Sequence, residues 1–284
     1  MYEILKKEKL NASVTLMLIH APLVAKKAKA GQFIILQVEE NGERIPLTVA
    51  DYDRNNGTVT VIFQVVGTTT KKLDMLEKGD KLYTFVGPLG NATDISNYKK
   101  VAIVGGGVGC AIAYPIAKAI KSTGAKVHSI IGFRNNDLVI LKDEFENVSD
   151  ELFLVTDDGS TGTKGLVTDI LKKLIENKGN YDIVFAIGPL MMMKCVSDLT
   201  KKYGIKTVVS MNPIMIDGTG MCGGCRLTVG DKMKFACIDG PDFDGHKVDF
   251  DEAIKRGKMF LNEERKSYEN TCNLLKKGNL SDGK

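Results

Sequence analysis

The sequence predicts a protein of the β + α/β class with three segments: an N-terminal antiparallel β-barrel, a central Rossmann-like parallel sheet and a small C-terminal cysteine-rich module. Residues 1–98 contain short β-branched stretches separated by Gly, Pro and Asn, which is typical of antiparallel strands. Hydrophobic strands and helices alternate over residues 99–205, which indicates a parallel sheet covered by helices. Three of the six cysteines lie between positions 222 and 237, within the last segment, residues 206–284.

Composition and charge argue against several classes of protein. The 39 basic and 35 acidic side chains give a net charge of +4 without a basic stripe interleaved with aromatics, so we expect no nucleic-acid partner. We also expect no membrane association and a cytoplasmic location, because no long apolar run and no signal-peptide pattern occur. In that reducing compartment clustered cysteines bind metal more often than they form disulfides. The isolated Cys110, Cys195 and Cys272 are interpreted as small buried hydrophobic residues.

The first segment combines strands with two patterns suited to phosphate. Its predicted strands are SVTLMLIH, GQFIILQVE, RIPLTVADYD and TVTVIFQVV, and one helix is expected at TTKKLDMLEKGD. The stretch ERIPLT places an arginine beside Pro46, Leu47 and Thr48, and Gly67 precedes three threonines at the start of the predicted helix. Cations, hydroxyl groups and helix amides are groups that bind phosphate. An ordinary edge strand is the alternative explanation for RIPLT, so this pattern is informative only beside a second nucleotide signal.

That second signal is the glycine-rich turn of the central segment. The stretch VAIVGGGVGCAIAYPIAKAI is a hydrophobic strand that runs into Gly105, Gly106, Gly107 and Gly109 and then into a helix. Without a Cβ in the way, backbone N–H groups at a helix N-terminus can meet a pyrophosphate, and the helix dipole favours the anion. The turn therefore predicts a nucleotide-binding site, with a merely tight strand-to-helix loop as the alternative.

Further candidate residues follow the ends of the other predicted parallel strands, where ligands of such sheets bind. Arg134 stands where an acidic residue would hold an adenine ribose, so it is interpreted as a phosphate contact or an exposed side chain. The remaining candidates at strand ends are Thr156, Asp157, Asp158, Gly188 and Pro189. The three methionines at positions 191–193 are expected either to pack in the core or to line a nicotinamide pocket.

The cysteine-rich segment has the spacing of an iron-sulfur loop. Asp217-x4-Cys222-x2-Cys225, followed by Cys237, matches a plant-type 2Fe-2S pattern in which a carboxylate replaces the first thiolate. The glycines of DGTGMCGGC supply the positive φ angles that a loop around a cluster needs. Zinc in a Cys3Asp site and free thiols are the rival interpretations, although structural zinc usually takes ligands from two separated knuckles. A strand at CRLTVGDKMKFAC and one charged helix over residues 249–277 are predicted to follow.

The order of these motifs resembles that of the ferredoxin-NADP reductase superfamily. The motifs are RIPLT, VGPLGN, VAIVGGGVGCA, TDDGSTGTKG, AIGP and MCGGCRLTVGDKMKFACIDGP. Within the superfamily the chain resembles the electron-transfer subunits of dihydroorotate dehydrogenase and, more closely, the small subunits of NADH-dependent reduced ferredoxin:NADP oxidoreductases. The first group binds its cluster through four cysteines and the second through one aspartate and three cysteines, so Asp217 favours the second.

The resemblance implies cofactors, partners and site residues. It implies NADH or NADPH on the glycine turn, a 2Fe-2S cluster on the cysteine loop and FAD on the barrel. The residues carried over to FAD are Arg44, Pro46, Leu47, Thr48, Gly67, Thr69 and Thr70. The family pattern would place its arginine at Ile45, so Arg44 stands one position early.

The implied activity is a relay in which electrons pass from NAD(P)H through FAD and the cluster to a partner. That partner is a larger flavoprotein and iron-sulfur subunit in a heterodimer, which exchanges electrons with ferredoxin by electron bifurcation. Two other functions stay open at this point. One is the electron-transfer subunit of dihydroorotate dehydrogenase, and the other is a non-enzymatic redox sensor, for which no output module is evident.

Overall fold

Residues 2–89 form the predicted antiparallel barrel in a computed structural model that describes residues 2–270. The elements of this segment are β1 (Tyr2–Lys9), β2 (Val14–His20), α1 (Pro22–Lys27), β3 (Phe33–Gln37), β4 (Arg44–Asp53), β5 (Thr58–Gln64), α2 (Thr68–Met75), β6 (Lys81–Leu82) and β7 (Thr84–Leu89). The strand order is β6-β1-β2-β5-β4-β3-β7, and neighbouring strands pair antiparallel. Because Tyr83 alone separates β6 from β7, the two sheet edges lie side by side and nearly close the barrel.

Residues 100–210 form the predicted parallel sheet with its covering helices. The elements are β8 (Lys100–Gly106), α3 (Cys110–Ser122), β9 (Lys126–Phe133), α4 (Lys142–Val148), β10 (Glu151–Thr156), β11 (Thr163–Lys164), α5 (Val167–Lys178), β12 (Ile183–Ile187), α6 (Leu190–Lys202) and β13 (Thr207–Ser210). The strand order β11-β10-β9-β8-β12-β13 is parallel throughout, and β12 is buried at every residue. The chain builds outward from β8 to β10 and then returns to place β12 against β8. The sheet therefore has its topological switch point between β8 and β12.

The last described segment is small and joins the second sheet. Its elements are β14 (Arg226–Val229), β15 (Lys232–Phe235), α7 (Ala236–Asp239), β16 (Asp242–Asp244) and α8 (Phe250–Gly257). The predicted strand at CRLTVGDKMKFAC is a β14–β15 hairpin, which turns at Gly230 with φ +62°. Strand β16 pairs antiparallel with β13, so the cysteine-rich segment is anchored to the edge of the parallel sheet. Within residues 2–270 no helix combines the length and the apolar character needed to cross a membrane.

The prediction of one continuous C-terminal helix over residues 249–277 is wrong in its described part. Helix α8 ends at Gly257, residues 258–260 form a turn, and residues 261–270 are helical again. Glycine disfavours a helix interior by about 1 kcal/mol relative to alanine. The next amide, that of Lys258, hydrogen-bonds to Arg256 and Lys255 and thereby leaves the regular α-helical pattern. Residues 271–277, including Cys272, lie outside the described residues.

A buried carboxyl group, that of Asp242, lies where β16 meets the barrel connection. The Thr93 hydroxyl, in the connection after the barrel, donates to Oδ2 of Asp242 at 2.5 Å. On the other side Asp242 pairs with Ser210 of β13. Burial raises the pKa of Asp242 to about 6, although hydrogen bonds from Thr93 and Ser210 act in the opposite direction.

We expect Asp242→Asn to remove a pH-dependent loss of stability. Below the unfolded pKa of 3.8 the carboxyl is protonated in both states and has no effect. As the pH rises from about 4 to above 6, the unfolded chain releases this proton first, and the folded state loses about 3 kcal/mol of stability. Urea unfolding across that range measures the effect. The free energy of unfolding of the variant should rise relative to that of the wild type as the pH increases to about 7. A difference between the two proteins that does not change with pH would contradict the assignment.

Candidate functional site

A cavity of about 740 Å³ lies at the carboxyl ends of β8, β9 and β12, at the switch point of the parallel sheet. The predicted residues that line it are Gly106, Gly107, Gly109, Arg134, Asp157, Gly188 and Pro189. The barrel contributes the opposite wall through Ser13, Val14 and Gln64. The cavity therefore lies between the barrel and the sheet, where a bound nucleotide would face a group held by the barrel.

The glycines of the turn have different structural tasks. Gly107 adopts φ +55°, and a Cβ built on it would meet no atom within 4 Å, so its backbone faces open space. A Cβ on Gly106 would lie 2.4 Å from Sδ of Met192, and one on Gly109 would lie 2.6 Å from Cα of Gly188. Gly106, Gly109 and Gly188 thus allow close packing between the ends of β8 and β12. Gly107 leaves a cradle for a ligand.

Three predicted residues do not line this cavity. Gly105 packs against Cys110, whose sulfur would lie 2.9 Å from a Cβ at that position. Thr156 is buried, and its hydroxyl donates to the carbonyl of Thr161 at 2.6 Å. Asp158 accepts hydrogen bonds from the amide and hydroxyl of Ser160, which lower the pKa of its carboxyl. Thr156 and Asp158 shape the turn that carries Asp157 to the cavity wall.

Helix α6 supplies several residues of the cavity wall, one of which, Cys195, the sequence interpretation missed. Met191 and Met192 line the cavity, whereas Met193 is fully buried in the core, so the methionine run divides between both expected roles. Cys195 also lines the cavity and is exposed, so its interpretation as a buried residue is wrong. It follows Met191 by four positions and Met192 by three, and this helical spacing places the three on one face. Cys110, by contrast, is fully buried as expected.

A second cavity, of about 200 Å³, lies at the N-terminus of α2. It is lined by Val38, Glu39, Asn41, Gly42, Glu43, Thr68, Thr69 and Lys72. A Cβ on Gly67, just before the helix, would meet no atom within 4 Å, so the approach to the first helical amides is open. The Thr70 hydroxyl accepts the amides of Val66 and Gly67 at 3.0 Å and thereby fixes the turn.

Carboxylates occupy the anion positions of this second cavity. The Thr69 hydroxyl donates to Glu43, and the Lys72 ammonium pairs with Glu39. The open N-terminus of α2, together with a hydroxyl and an ammonium that already hold carboxylates, has the donor set for a phosphate group. Of these groups, the sequence interpretation missed Lys72, because a lysine within a charged helix has no distinctive pattern. Pro46, Leu47 and Thr48 lie half-buried on the neighbouring strand β4.

The cysteine loop brings its predicted ligands into one neighbourhood of the third segment. Cys225 and Cys237 are buried and lie next to each other, whereas Cys222 is exposed. Burial, with the neighbouring Cys225, raises the pKa of Cys237 to about 12. Hydrogen bonding to the amide of Gly224 lowers the pKa of Cys222. Because two adjacent buried thiolates repel each other, a cationic centre is what would let both ionise.

The loop backbone and Asp217 complete this donor set. Gly218, Gly220 and Gly223 adopt φ angles of +82°, +85° and +67°, as a tightly wrapped loop requires. The Asp217 carboxylate accepts the hydroxyl and amide of Thr219, and these hydrogen bonds keep the pKa of Asp217 below its usual range.

The side chains of the cysteine loop do not form a closed single-ion site. Within residues 2–270 no three His, Cys, Asp or Glu side chains converge closely enough for a single ion. Tetrahedral zinc requires four ligands on one ion, whereas a 2Fe-2S cluster takes two on each iron. Three thiols and one carboxylate provide four donor groups, the number that either centre needs.

The cysteine loop lies directly on the barrel. A Cβ on Gly218 would lie 2.6 Å from Cδ1 of Ile35 and 2.9 Å from Cδ1 of Leu89, so the loop backbone packs on β3 and β7. The Arg44 Nε atom of β4 also donates to the carbonyl of Ile216 at 3.0 Å. The strand that carries Pro46, Leu47 and Thr48 is thus tied to the loop that carries Asp217.

Comparisons with known proteins match this arrangement. The family model for the iron-sulfur cluster binding domain of dihydroorotate dehydrogenase B matches residues 212–249. The chain is 49% identical over 267 residues to an electron-transfer subunit homologue of dihydroorotate dehydrogenase B from Thermotoga maritima, covering 94% of each chain. It is 34% identical to the corresponding electron-transfer subunit from Fusobacterium nucleatum, covering 74% of this chain and 83% of that one.

Solved structures extend the comparison. A structure of NADH-dependent reduced ferredoxin-NADP oxidoreductase, described in connection with flavin-based electron bifurcation, superposes with a TM-score of 0.90 at 47% identity, covering 95% of this chain and 97% of that one. The ferredoxin-NADP+ reductase of Plasmodium falciparum has a TM-score of 0.57 at 14% identity, covering 71% of this chain and 90% of that one, which shows a shared fold. The superfamily predicted from the motifs is confirmed. The chain belongs to the family of dihydroorotate dehydrogenase B electron-transfer subunits and their homologues.

Proposed function

We propose that this chain is an oxidoreductase subunit that passes electrons from NAD(P)H through FAD and a 2Fe-2S cluster to a partner flavoprotein. The observation that carries the proposal is the packing of the Asp217 and cysteine loop on the barrel. The same barrel forms one wall of the switch-point cavity. When bound, FAD accepts a hydride from a nicotinamide and releases electrons singly to an iron-sulfur centre. The family membership and the structural match to an NADH-dependent oxidoreductase support this function.

Each segment is assigned one binding task. Residues 1–98 hold FAD, residues 99–205 hold the nicotinamide nucleotide, and residues 206–284 hold the cluster. On the barrel, Thr48 and its neighbours on β4 would hold the flavin, and the first turn of α2 with Gly67 and Thr69 would hold its phosphates. In the large cavity, Gly107 offers its backbone to the pyrophosphate, while Met191 and Met192 exclude water from the nicotinamide end.

The proposed partner is a larger subunit with flavin and further iron-sulfur clusters, which forms a heterodimer with this chain and exchanges electrons with ferredoxin. The carboxylate at position 217 favours this partner, because the resembling ferredoxin:NADP subunits bind their cluster through one aspartate and three cysteines. A dihydroorotate dehydrogenase partner is the second candidate, which the names of the curated relatives favour. We place the complex in the cytoplasm, where reducing conditions keep the cluster thiols available.

Anaerobic purification followed by reductive titration tests the function. We expect flavin absorption, iron and sulfide in equal amounts, and bleaching of the flavin bands on addition of NADH or NADPH. An EPR signal of a reduced 2Fe-2S centre should appear with dithionite. A colourless protein that holds zinc, or a flavoprotein that neither nucleotide reduces, would overturn the proposal. Adding dihydroorotate dehydrogenase catalytic subunit or a ferredoxin-linked flavoprotein in separate assays distinguishes the two partners.

Replacing Asp217 by cysteine is expected to keep the cluster and change its reduction potential. A thiolate is a softer and more electron-donating ligand than a carboxylate, and ligand identity sets the potential of such centres. EPR-monitored potentiometry measures the shift. Asp217→Ala is the companion variant and should lose iron, since it offers no donor atom at that position. Full iron content in the alanine variant would remove Asp217 from the ligand set.

A further inference from the structure

Three arginine side chains hold main-chain carbonyl groups of the cluster loop, residues 214–225. Arg44 Nε donates to Ile216 at 3.0 Å, Arg226 Nη1 donates to Gly223 at 3.2 Å, and Arg256 Nη2 donates to Gly224 at 3.3 Å. The three guanidinium groups come from β4, β14 and α8 respectively. Each bond turns a carbonyl dipole toward a cation and adds one positive charge beside the loop.

Arg44 differs from the other two because it belongs to the barrel. Its bond to Ile216 joins residues 172 positions apart and connects β4 directly to the loop that carries Asp217. The contact of Gly218 with Ile35 and Leu89 also joins the loop to the barrel. Arg44 therefore fixes the position of the loop relative to Pro46, Leu47 and Thr48 on its own strand.

A different cation serves the cavity at the N-terminus of α2. Lys72 lines that cavity and pairs with Glu39 there, whereas Arg44 does not line it. Arg44 also stands one position before the family's arginine position, which Ile45 occupies in this chain. Thus the two cations divide between two sites: Lys72 lies at the phosphate end of the flavin site, and Arg44 lies at the cluster loop.

We propose that Arg44 is a positioning residue for electron transfer, which holds the cluster loop on the flavin barrel and raises the reduction potential of the cluster through its positive charge. This inference rests on the proposed function. Reduction adds one electron to the cluster without a bond being made or broken. A fixed cation nearby stabilises the more negative, reduced form, so its removal shifts the equilibrium toward the oxidised form.

The test compares four variants of the full chain with both cofactors bound. Arg44→Gln removes the charge, Arg44→Lys keeps it, Lys72→Gln removes the other cation, and Arg54→Gln is the matched control. Arg54 also lies on the barrel and donates to a carbonyl, that of Ala28 at 3.0 Å, away from the cluster loop. For each protein we would measure iron content, the cluster potential by EPR-monitored titration, and the dissociation constants of FAD and riboflavin.

We expect the two cation replacements to have separate effects, Arg44→Gln on the cluster potential and Lys72→Gln on FAD binding. Arg44→Gln should lower the reduction potential of the cluster by about 59 mV, which corresponds to a tenfold change in the equilibrium constant for one-electron reduction. Its FAD affinity should be unchanged. The cluster potential of Arg44→Lys should lie close to that of the wild type, and Arg54→Gln should leave the cluster potential unchanged. Lys72→Gln should weaken FAD binding about tenfold, without weakening riboflavin binding, because riboflavin lacks phosphate.

Several outcomes overturn the inference. An unchanged cluster potential in Arg44→Gln would contradict the proposed role. A loss of FAD affinity with an unchanged cluster potential would instead indicate that Arg44 binds the flavin phosphate. If Arg44→Gln fails to retain iron, Arg44→Lys decides: recovery of the cluster supports the inference, and an equal loss of iron overturns it. Wild-type protein without flavin or iron would contradict the proposed function itself, which is a distinguishable result.

Discussion

Replacing Cys225 by serine is expected to abolish the iron-sulfur cluster and to leave FAD bound. Cys225 is 2% exposed, so its sulfur faces the interior of the loop rather than solvent. A serine hydroxyl at that position is nearly isosteric but does not ionise readily, and the soft ligand that iron-sulfur centres favour is lost. Iron and sulfide analysis, together with loss of the reduced-cluster EPR signal, measures the effect.

A matched control separates ligand loss from general damage by a cysteine replacement. Cys195 is exposed on α6 and lies outside the cluster loop, so Cys195→Ser should retain full iron and the wild-type EPR signal. The flavin spectrum reports on folding in both variants, because the proposed flavin site lies on the barrel and not on the cluster loop. Wild-type iron content in Cys225→Ser would show that Cys225 is no ligand. Zinc in place of iron in the wild-type protein would contradict the assignment of a two-iron centre.

The main parts of the fold can be predicted from local sequence patterns. Alternating β-branched stretches with Gly and Pro turns predict the barrel, and strands such as IVFAI in β12 are continuously apolar because both faces of the parallel sheet are covered. The strand-glycine-helix order around Gly107 predicts the switch-point cavity, since the carboxyl end of a parallel strand is where ligands bind. The ligand spacing from Asp217 to Cys225 is equally local.

The missed features depend on contacts between distant residues. The hydrogen bond from Arg44 to Ile216 spans 172 positions, and no periodicity encodes it. Cys195 lines the cavity because α6 turns that face toward the end of β8, whereas sequence alone offers only the average tendency of cysteine to be buried. The pairing of β16 with β13 was also unpredicted, because three residues are too short for a strand pattern.

Replacing Gly107 by valine is expected to weaken NAD(P)H binding by at least about 100-fold while FAD and the cluster stay bound. The position has φ +55°, which β-branched residues strongly disfavour, and a Cβ there would point into the open cradle of the cavity. Relief of strain would rotate the turn and withdraw the amides that face the pyrophosphate. A loss of 100-fold corresponds to about 2.8 kcal/mol of binding free energy, comparable to the removal of one or two hydrogen bonds to a charged group.

The control for this variant carries the same strain elsewhere. Gly204 adopts φ +65°, and a Cβ on it would also meet no atom within 4 Å, but it follows α6 and does not line the cavity. Gly204→Val should therefore lower the melting temperature about as much as Gly107→Val and leave nucleotide affinity unchanged, as measured by quenching of NADH fluorescence. Equal losses of affinity in the two variants would mean that strain alone is responsible. Wild-type affinity in Gly107→Val would place the pyrophosphate away from this turn, because no dinucleotide could keep its contacts there against a bulky side chain in the cradle.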